Sequence, residues 1–365
     1  MRHTGAMPLT RPRLTIRLDA VADNYRQVRA VVGDVAAGAA VKADAYGLGL
    51  EPVVARLWDE GCREFFVASV DEGIELRRLL PGAAVNVFNG AVPGTEDELI
   101  AHDLVPLVIS AAQLVGWREA ARRHGSALPV GIHVDTGMNR TGMSAPEFDS
   151  VVDESSSLEG LEVRHVLSHL ACADEPHSAQ PEEQLARFRE VRRRLPGGTA
   201  SLANSGGIFR HTDFHFDLVR PGVSLYGGSP VAGSPSPLRQ TVVLEAPILQ
   251  LREVGAGDHV GYGATYEVTG SETHAVVPVG YADGFHRAAS NRGAASVGGA
   301  EVPIVGRVSM DLIVLDVSGL AVRVGDPVEL IGDNRRVDDV AAAAGTISYE
   351  ILTSLGSRYE RVYMG

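Results

Sequence analysis

The sequence has 365 residues, of which 45% are hydrophobic, and its formal net charge is −13. An acidic surface repels nucleic acids and anionic membranes on average, so we expect neither as a partner. Two cysteines, Cys62 and Cys172, are too few for a disulfide framework and are typical of a reducing compartment. No apolar run approaches the ~20 residues of a membrane-spanning helix, and the N-terminus lacks the apolar core of a signal peptide. We therefore expect a cytoplasmic protein that acts on a small molecule.

Short β-branched runs alternate with longer amphipathic stretches over more than half of the chain. After a leading strand at 14–19 and a helix at 20–32, eight such runs follow, from AAVKAD at 39–44 to FDLVRPG at 216–222. The stretches between them carry apolar residues at helical spacing and end at Gly or Pro. Eight repeats of strand and helix predict an α/β fold, a (β/α)8 TIM barrel over residues 14–230. Catalytic residues are expected at the C-terminal ends of its strands.

The composition changes after the last of these runs. Residues 227–237 are rich in Ser, Pro and Gly, which is typical of a linker between domains. Beyond the linker, short alternating strands with Gly-rich turns predict a mostly β C-terminal domain over residues 238–365, joined by the N-terminal residues 1–18. Two late helices are predicted, one at VDDVAAAAG and one at SYEILTSLG.

A lysine interrupts an apolar run in AAVKADAYGLG, residues 39–49. The neighbours of Lys42 offer its ammonium no local partner, and burying an unpaired charge costs several kcal/mol unless the group loses its proton or reacts. One interpretation is a lysine near a strand end that reaches back to water. The other is a lysine whose amine is bound covalently to an aldehyde cofactor.

Polar residues follow the ends of several predicted strands and should meet at one mouth of the barrel. Taken singly they are weak signals. His169 is also typical of a structural histidine, and ANSGG is also typical of a turn before a helix. Together with the buried lysine they indicate pyridoxal 5'-phosphate, whose aldehyde takes the lysine and whose phosphate takes hydroxyl and N–H donors. The residues concerned are Lys42, Tyr46, Arg140, His169, Asn204, Ser205, Arg220, Gly222 and Val223.

From about residue 14 to the C-terminus, the chain contains in this order the motifs AAVKADAYGLG, VDTGMNRTG, SHLACADE, ANS, VRPGVSLYG, YGATY, GYADG, GRVSMD and SYEI. These motifs resemble those of bacterial alanine racemases, the pyridoxal phosphate enzymes of fold type III. The resemblance implies a barrel followed by a β domain, and a head-to-tail homodimer whose active sites are completed by the partner's C-terminal domain. It also implies interconversion of L- and D-alanine, which supplies D-alanine for peptidoglycan.

The resemblance also implies the role of each site residue. Lys42 and Tyr262 are the two acid/base groups, with Tyr262 coming from the partner and contacting His169, which in turn contacts Arg220. Arg220 faces the pyridine nitrogen, and Asn204 lies beside the cofactor. The phosphate is bound by Tyr46, Ser205, Tyr349 and the amides of Gly222 and Val223. Arg140 binds the phenolic oxygen and the substrate carboxylate, and the partner's Met310 amide also binds that carboxylate. The remaining roles are a narrow entrance at Tyr281 and Tyr349 and an access corridor at Asp174, Arg287 and Arg307. No metal site is expected.

One position departs from the family pattern. Where many members have a carbamylated lysine seven residues before the arginine of DTGMNR, this chain has His133. Imidazole forms no stable carbamate, and a neutral histidine offers one acceptor nitrogen in place of an anion. We therefore expect no carbamylated lysine in the site. We also expect a bound chloride or similar anion near Arg140 and His133, because an unpaired guanidinium at the mouth of a dry site is costly. The alternative is that His133 only fills a layer of the barrel.

Three other functions remain open at this stage. A racemase of serine or another small amino acid on the same scaffold has no feature against it in the sequence. A fold type III amino-acid decarboxylase needs an acidic partner for a distal amine, and we find no motif for one. A non-enzymatic pyridoxal phosphate carrier of the single-barrel kind lacks a counterpart of residues 238–365 and of Tyr262.

Overall fold

A computed structural model describes residues 10–154, 156–233 and 236–365 of the chain. The chain forms two compact units. One is the stretch Val21–Leu225 with Ser229–Leu238. The other comprises the described residues up to Ala20, Tyr226–Gly228 and Arg239–Gly365. Of the predicted segments, residues 1–9 of the N-terminal stretch and residues 234 and 235 of the linker lie outside the described residues.

The Val21–Leu225 unit contains eight parallel strands that follow one another in chain order. The strands are β3 (Ala39–Ala40), β4 (Glu64–Val67), β5 (Ala84–Val87), β6 (Leu104–Val108), β7 (Leu128–His133), β8 (Leu161–Leu167), β9 (Thr199–Ser201) and β10 (Leu218–Val219), after β1 (Arg13–Arg17) and β2 (Ala36–Ala37). Strands β3 to β9 form one sheet, and β10 pairs with β2, which directly precedes β3. The predicted (β/α)8 barrel is therefore confirmed.

Backbone hydrogen bonds close the ring around β10. On one side the amides of Asp217 and Arg220 donate to the carbonyls of Ala200 and Ala203, next to β9. On the other side the Ala40 amide donates to the Pro221 carbonyl over 2.9 Å, next to β3. Closure of the sheet removes both strand edges, and it brings the C-terminal ends of all eight strands to one rim.

Helices separate the barrel strands, and serine caps begin three of them. Ser69, Ser110 and Ser144 each accept a hydrogen bond from the backbone two or three residues into the helix that follows. After β10 a short 3-10 helix, Val223–Tyr226, stands in place of an eighth α-helix. The helices are α1 (Leu18–Val32), α2 (Lys42–Gly47), α3 (Leu50–Asp59), α4 (Val70–Leu79), α5 (Glu96–Ala101), α6 (Ala111–His124), α7 (Ala145–Asp153), α8 (Gln180–Arg194) and α9 (Ser205–Arg210).

The second unit is mostly β, as predicted. Its largest sheet has the order β17-β16-β19-β11-β1-β20, so the N-terminal strand β1 lies between the first strand of this unit and the last strand of the chain. A second sheet has the order β12-β15-β18. The strands are β11 (Val242–Pro247), β12 (Gln250–Val254), β13 (His259–Val260), β14 (Tyr266–Glu267), β15 (Glu272–Val277), β16 (Ala294–Val297), β17 (Ala300–Pro303), β18 (Ile313–Asp316), β19 (Pro327–Ile331) and β20 (Glu360–Met364).

Both late helices predicted from the sequence are present in this unit, as α10 (Val337–Ala344) and α11 (Ser348–Ser354). At the short hairpin β13–β14, Val260 and Val268 pack on Val305. These three side chains form a small separate core. Among the described residues, no helix of either unit combines the length and apolarity that crossing a bilayer requires.

Candidate active site

Lys42 is the only lysine in the sequence. Strand β3 ends at Ala40, so Lys42 lies just beyond the strand and not inside it as the apolar run suggested. Its side chain is half-buried, with Nζ 5.9 Å from the centre of the Phe88 ring. Burial, with the nearby charge of Arg140, lowers the pKa of the Lys42 amine. This amine is therefore easier to deprotonate than an exposed one.

The turn after Lys42 has an unusual backbone. Ala43, Asp44, Ala45 and Tyr46 all have positive φ, between 52° and 58°, so α2 is a short left-handed turn. Left-handed backbone costs about 1–2 kcal/mol for each residue with a side chain. Strain of this kind persists where the surrounding structure fixes it, and it is concentrated at functional sites.

Glu72 of α4 holds this turn, and sequence reasoning missed it. One carboxylate oxygen accepts a hydrogen bond from the Ala43 amide over 2.8 Å, and the other accepts from the Ala68 amide over 2.7 Å. Its position after the fourth strand, in VDEG, reads as an ordinary acidic first turn of a helix. The sequence therefore offers no signal for this second contact.

Hydroxyl and amide groups converge where the phosphate is predicted. The buried Ser205 Oγ accepts hydrogen bonds from the amides of Gly222, over 2.9 Å, and Ser224, over 3.2 Å. Asn204 caps α9, because its side chain accepts a hydrogen bond from the Gly207 amide. A Cβ on Gly222 would lie 2.3 Å from the Tyr46 hydroxyl, so only glycine permits this close approach. Val223 follows in the same buried turn.

Arg220 is buried at the end of β10. Its guanidinium donates to the Ser201 hydroxyl and, over 2.6 Å, to the Ser168 carbonyl. Its Nε–H is buried and has no acceptor among the described residues. Burial lowers the pKa of Arg220 to about 10, which still leaves the group charged at neutral pH. A buried N–H donor without a partner indicates that a ligand atom completes the site.

Three histidines lie near Arg220 inside the barrel. Burial, together with the charge of Arg220, lowers the pKa of His133 and of His165 to about 4. The same two causes lower the pKa of His169 well below its ordinary value, with smaller contributions from Arg140, His133 and Lys42. All three imidazoles are therefore neutral at neutral pH.

Arg140 lies in the loop after β7, which Asp135 organises. The Asp135 carboxylate accepts hydrogen bonds from the amides of Gly137, Met138 and Asn139. Arg140 itself is exposed and forms no ion pair within the described part of the chain. We expected Arg140 to need a bound anion because its guanidinium would be desolvated. In the single chain the side chain is open to solvent, so this reason does not hold there. His133 is buried, and its Nδ1 has no partner there.

The remaining predicted residues of the β unit are largely solvent-exposed. Tyr262 is 73% exposed at the tip of a turn after β13, and Arg307 packs on this turn, since a Cβ on Gly263 would lie 2.6 Å from its Nη1. Met310 is 53% exposed. Tyr281 and Arg287 line an open cleft of about 490 Å³. Tyr349 is exposed on α11.

The structure thus places the predicted residues in two groups. The barrel group brings together Lys42, Tyr46, Arg140, His169, Asn204, Ser205, Arg220, Gly222 and Val223, and Asp174 is exposed in the loop after β8. The β-unit group comprises Tyr262, Tyr281, Arg287, Arg307, Met310 and Tyr349.

Comparisons with known proteins agree over nearly the whole chain. Residues 16–230 match the family model "Alanine racemase, N-terminal domain", and residues 241–363 match "Alanine racemase, C-terminal domain". A catabolic alanine racemase of Mesorhizobium japonicum is 46% identical, over 96% of this chain and 93% of the relative. An alanine racemase of Rhodospirillum rubrum is also 46% identical, over 96% of both chains.

Solved structures give the same result. The alanine racemase of Bartonella henselae, described with covalently bound pyridoxal phosphate, has a TM-score of 0.93 and 38% identity over 97% of this chain and all of its own. That of Streptomyces lavendulae has a TM-score of 0.92 and 33% identity over 99% of this chain and 98% of its own. The resemblance and the enzyme class, an isomerase, are confirmed: the chain belongs to the alanine racemase family.

Proposed function

We propose that this protein is a pyridoxal-phosphate-dependent racemase that interconverts L- and D-alanine. The observation that carries the proposal is Arg220, a buried arginine with an unpaired Nε–H, in the same rim as Lys42 and the neutral His169. Support also comes from the Bartonella henselae relative, which is described with covalently bound pyridoxal phosphate.

The residues of the barrel rim fit this cofactor. Lys42 is the one lysine side chain able to hold its aldehyde carbon, and the lowered pKa of its amine favours that bond. The Nε–H of Arg220 would donate to the pyridine nitrogen. When bound, the cofactor withdraws electrons from the substrate Cα and so makes its proton acidic. Ser205, Tyr46, Tyr349 and the amides of Gly222 and Val223 would hold the phosphate, and Asn204 would also bind the cofactor.

Two acid/base groups act on opposite faces of Cα, because racemisation removes the proton from one face and returns it on the other. Lys42 Nζ acts on one face. On the other, the hydroxyl of Tyr262 comes from a second copy of the chain, which explains why this side chain is exposed in one copy. His169 is neutral, so its imidazole accepts a hydrogen bond from that hydroxyl. The active form is therefore a homodimer with composite sites.

Arg220 directs the reaction towards racemisation. Arginine has only donors, and with a pKa of about 10 it keeps its proton at neutral pH. It would therefore hold the ring nitrogen without protonating it. An unprotonated ring would be the weaker electron acceptor, which would favour return of the proton to Cα over side reactions at the cofactor.

Several residues position the substrate. Arg140 and the partner's Met310 amide bind its carboxylate, while Tyr281 and Tyr349 limit the size of its side chain. Asp174, Arg287 and Arg307 line the access corridor. Beside Arg140, a chloride or similar small anion takes the place of the carbamate that the family pattern implies, with the buried, neutral His133 as its N–H donor.

In the cell we place the enzyme in the cytoplasm, where it supplies D-alanine for peptidoglycan. A catabolic role is the alternative, since curated relatives include alanine racemases named as catabolic and as biosynthetic. Two other activities of the same scaffold are a racemase of serine or another small amino acid and, less favoured, a fold type III decarboxylase.

A substrate panel tests the function. Purified protein is incubated with single L-amino acids, the D-product is measured by chiral chromatography, and CO2 release is recorded in parallel. We expect D-alanine as the main product, with Lys42→Ala as the inactive control. Faster conversion of serine would make this a serine racemase, and CO2 release without D-product would make it a decarboxylase.

A further inference from the structure

A buried carboxylate, Asp283, lies in one turn of the β unit. The side chain of Asp283 is 3% exposed, and its Oδ2 accepts a hydrogen bond from the Gly280 amide over 2.9 Å. The Asp283 carbonyl accepts from the Gly356 amide over 3.0 Å. The turn at 280–284 is thereby fixed both to itself and to the segment that follows α11.

The same turn lies directly on the loop that carries Met310. The amides of Tyr281 and Ala282 donate to the carbonyls of Ser309 and Met310, each over 3.0 Å. A Cβ on Gly280 would lie 2.4 Å from the Met310 carbonyl oxygen. The two segments are therefore packed backbone to backbone, and a shift of one moves the other.

Arg358 joins these segments through its side chain. Its Nε lies 2.9 Å from Asp283 Oδ1, and its Nη1 donates to Asp311 Oδ1 over 2.8 Å. A guanidinium offers donors in a fixed planar fork, so it holds the two carboxylates at a set spacing. Asp311 directly follows Met310, and Asp283 belongs to the same turn as Tyr281.

We infer that Arg358 is a positioning residue which, through Asp283 and Asp311, sets the placement of Tyr281 relative to the Met310 amide and thereby the preference for alanine over larger amino acids. The inference rests on the proposed function, in which Tyr281 limits the substrate side chain and the Met310 amide binds its carboxylate. Arg358 itself touches no substrate. Its effect therefore belongs in binding and selectivity, and the proton transfers at Lys42 and Tyr262 are left intact.

The test compares the holoenzyme of Arg358→Met, Arg358→Lys and Asp311→Asn with the wild type. We expect Arg358→Met to raise the KM for L-alanine about tenfold while kcat changes less than about threefold. The ratio of kcat/KM for alanine to that for serine should fall by a similar factor. Arg358→Lys keeps one charged contact and should recover part of both effects, and Asp311→Asn should have the smallest effect because an amide oxygen still accepts.

Arg239→Met is the matched control. Arg239 is exposed to the same degree as Arg358, 48% against 49%, and forms an ion pair with Asp19 in the same unit. Visible absorbance and the melting temperature verify that each variant is folded and loaded; if Arg358→Met is not, Arg358→Lys decides. An unchanged KM and selectivity in a folded variant overturns the inference alone. A wild type without racemase activity overturns the proposed function as well.

Discussion

At the scale of single residues, the barrel rim combines a buried permanent charge with several groups held neutral. Arg220 keeps its proton despite burial, while burial beside it lowers the pKa of three histidines. Neutral imidazoles next to a buried cation avoid the repulsion that a second charge would add. We therefore expect the pH to affect the stability of the protein, and the anion at this rim to affect its activity.

Acid should destabilise the protein through His133 and His165. Their folded pKa of about 4 lies below the ordinary value, so the unfolded chain takes up protons first as the pH falls. The stability that they contribute is complete above about pH 6.5 and is lost between about pH 6.5 and 4. The loss at pH 5 is on the order of 2 kcal/mol for each histidine.

Melting temperatures between pH 7.5 and 5 measure this effect. His165→Asn should show a shallower fall than the wild type, because one of the two histidines is gone. His124→Asn, at an exposed site on α6, is the control and should follow the wild type. Equal slopes for His165→Asn and the wild type would contradict the assignment.

The anion beside His133 gives a second prediction at this scale. A structure of the crystallised enzyme should contain a chloride or similar ion within hydrogen-bond reach of Arg140 or His133, and no carbamylated lysine. Replacing chloride by a bulky inert anion should lower activity. Density that joins Arg140 directly to His133, with activity indifferent to the anion, would mean that the histidine alone orients the arginine.

At the scale of elements, the left-handed turn α2 connects the cofactor lysine to the barrel. Four consecutive residues of α2 that carry side chains have positive φ. Glu72 of α4 accepts hydrogen bonds from the Ala43 amide in α2 and from the Ala68 amide just before α4. A charged acceptor with two N–H donors is stronger than a neutral one. The Glu72 side chain of the neighbouring helix α4 therefore offsets the strain of this turn.

Glu72→Gln should loosen this turn. Glutamine keeps one acceptor oxygen but places its NH2 group against the other backbone N–H, so we expect a loss of about 1–3 kcal/mol in the free energy of unfolding. We also expect less retained cofactor for each chain, read from visible absorbance after gel filtration. Glu75→Gln, on the exposed side of the same helix, is the control. Equal absorbance and stability in the two variants would count against the role of Glu72.

At the scale of the whole molecule, the separation of the site residues into two groups predicts that each active site combines residues from two copies of the chain. Lys42 belongs to the barrel unit and Tyr262 to the β unit, where its side chain is open to solvent. In the proposed dimer, each site takes its lysine from one copy and its tyrosine from the other. A mixed dimer then separates the two contributions.

Homodimers of Lys42→Ala and of Tyr262→Phe should both racemise poorly. After subunit exchange, activity should return, because about half of the sites in each heterodimer then hold both wild-type groups. Exchange is verified with a tag on one variant. No recovery in verified heterodimers would mean that each site is built from a single chain.

The sequence predicted the barrel, the β unit and both late helices because hydrophobic period and Gly or Pro punctuation are local signals. The left-handed turn was not predictable, because alanine, aspartate and tyrosine at residues 43–46 carry no sign of positive φ. The contact between Asp283 and Arg358 joins positions far apart in the chain, so no spacing suggests it. The domain limits 14–230 and 238–365 and the roles of the site residues remain predictions.

A chain with a single lysine has one side-chain amine for reagents that react with amines. Because that amine is the half-buried Lys42, such a reagent should label the folded protein slowly at this position and not at all when a cofactor holds it. The mass of the intact chain then counts free and occupied sites directly, apart from the N-terminal amine.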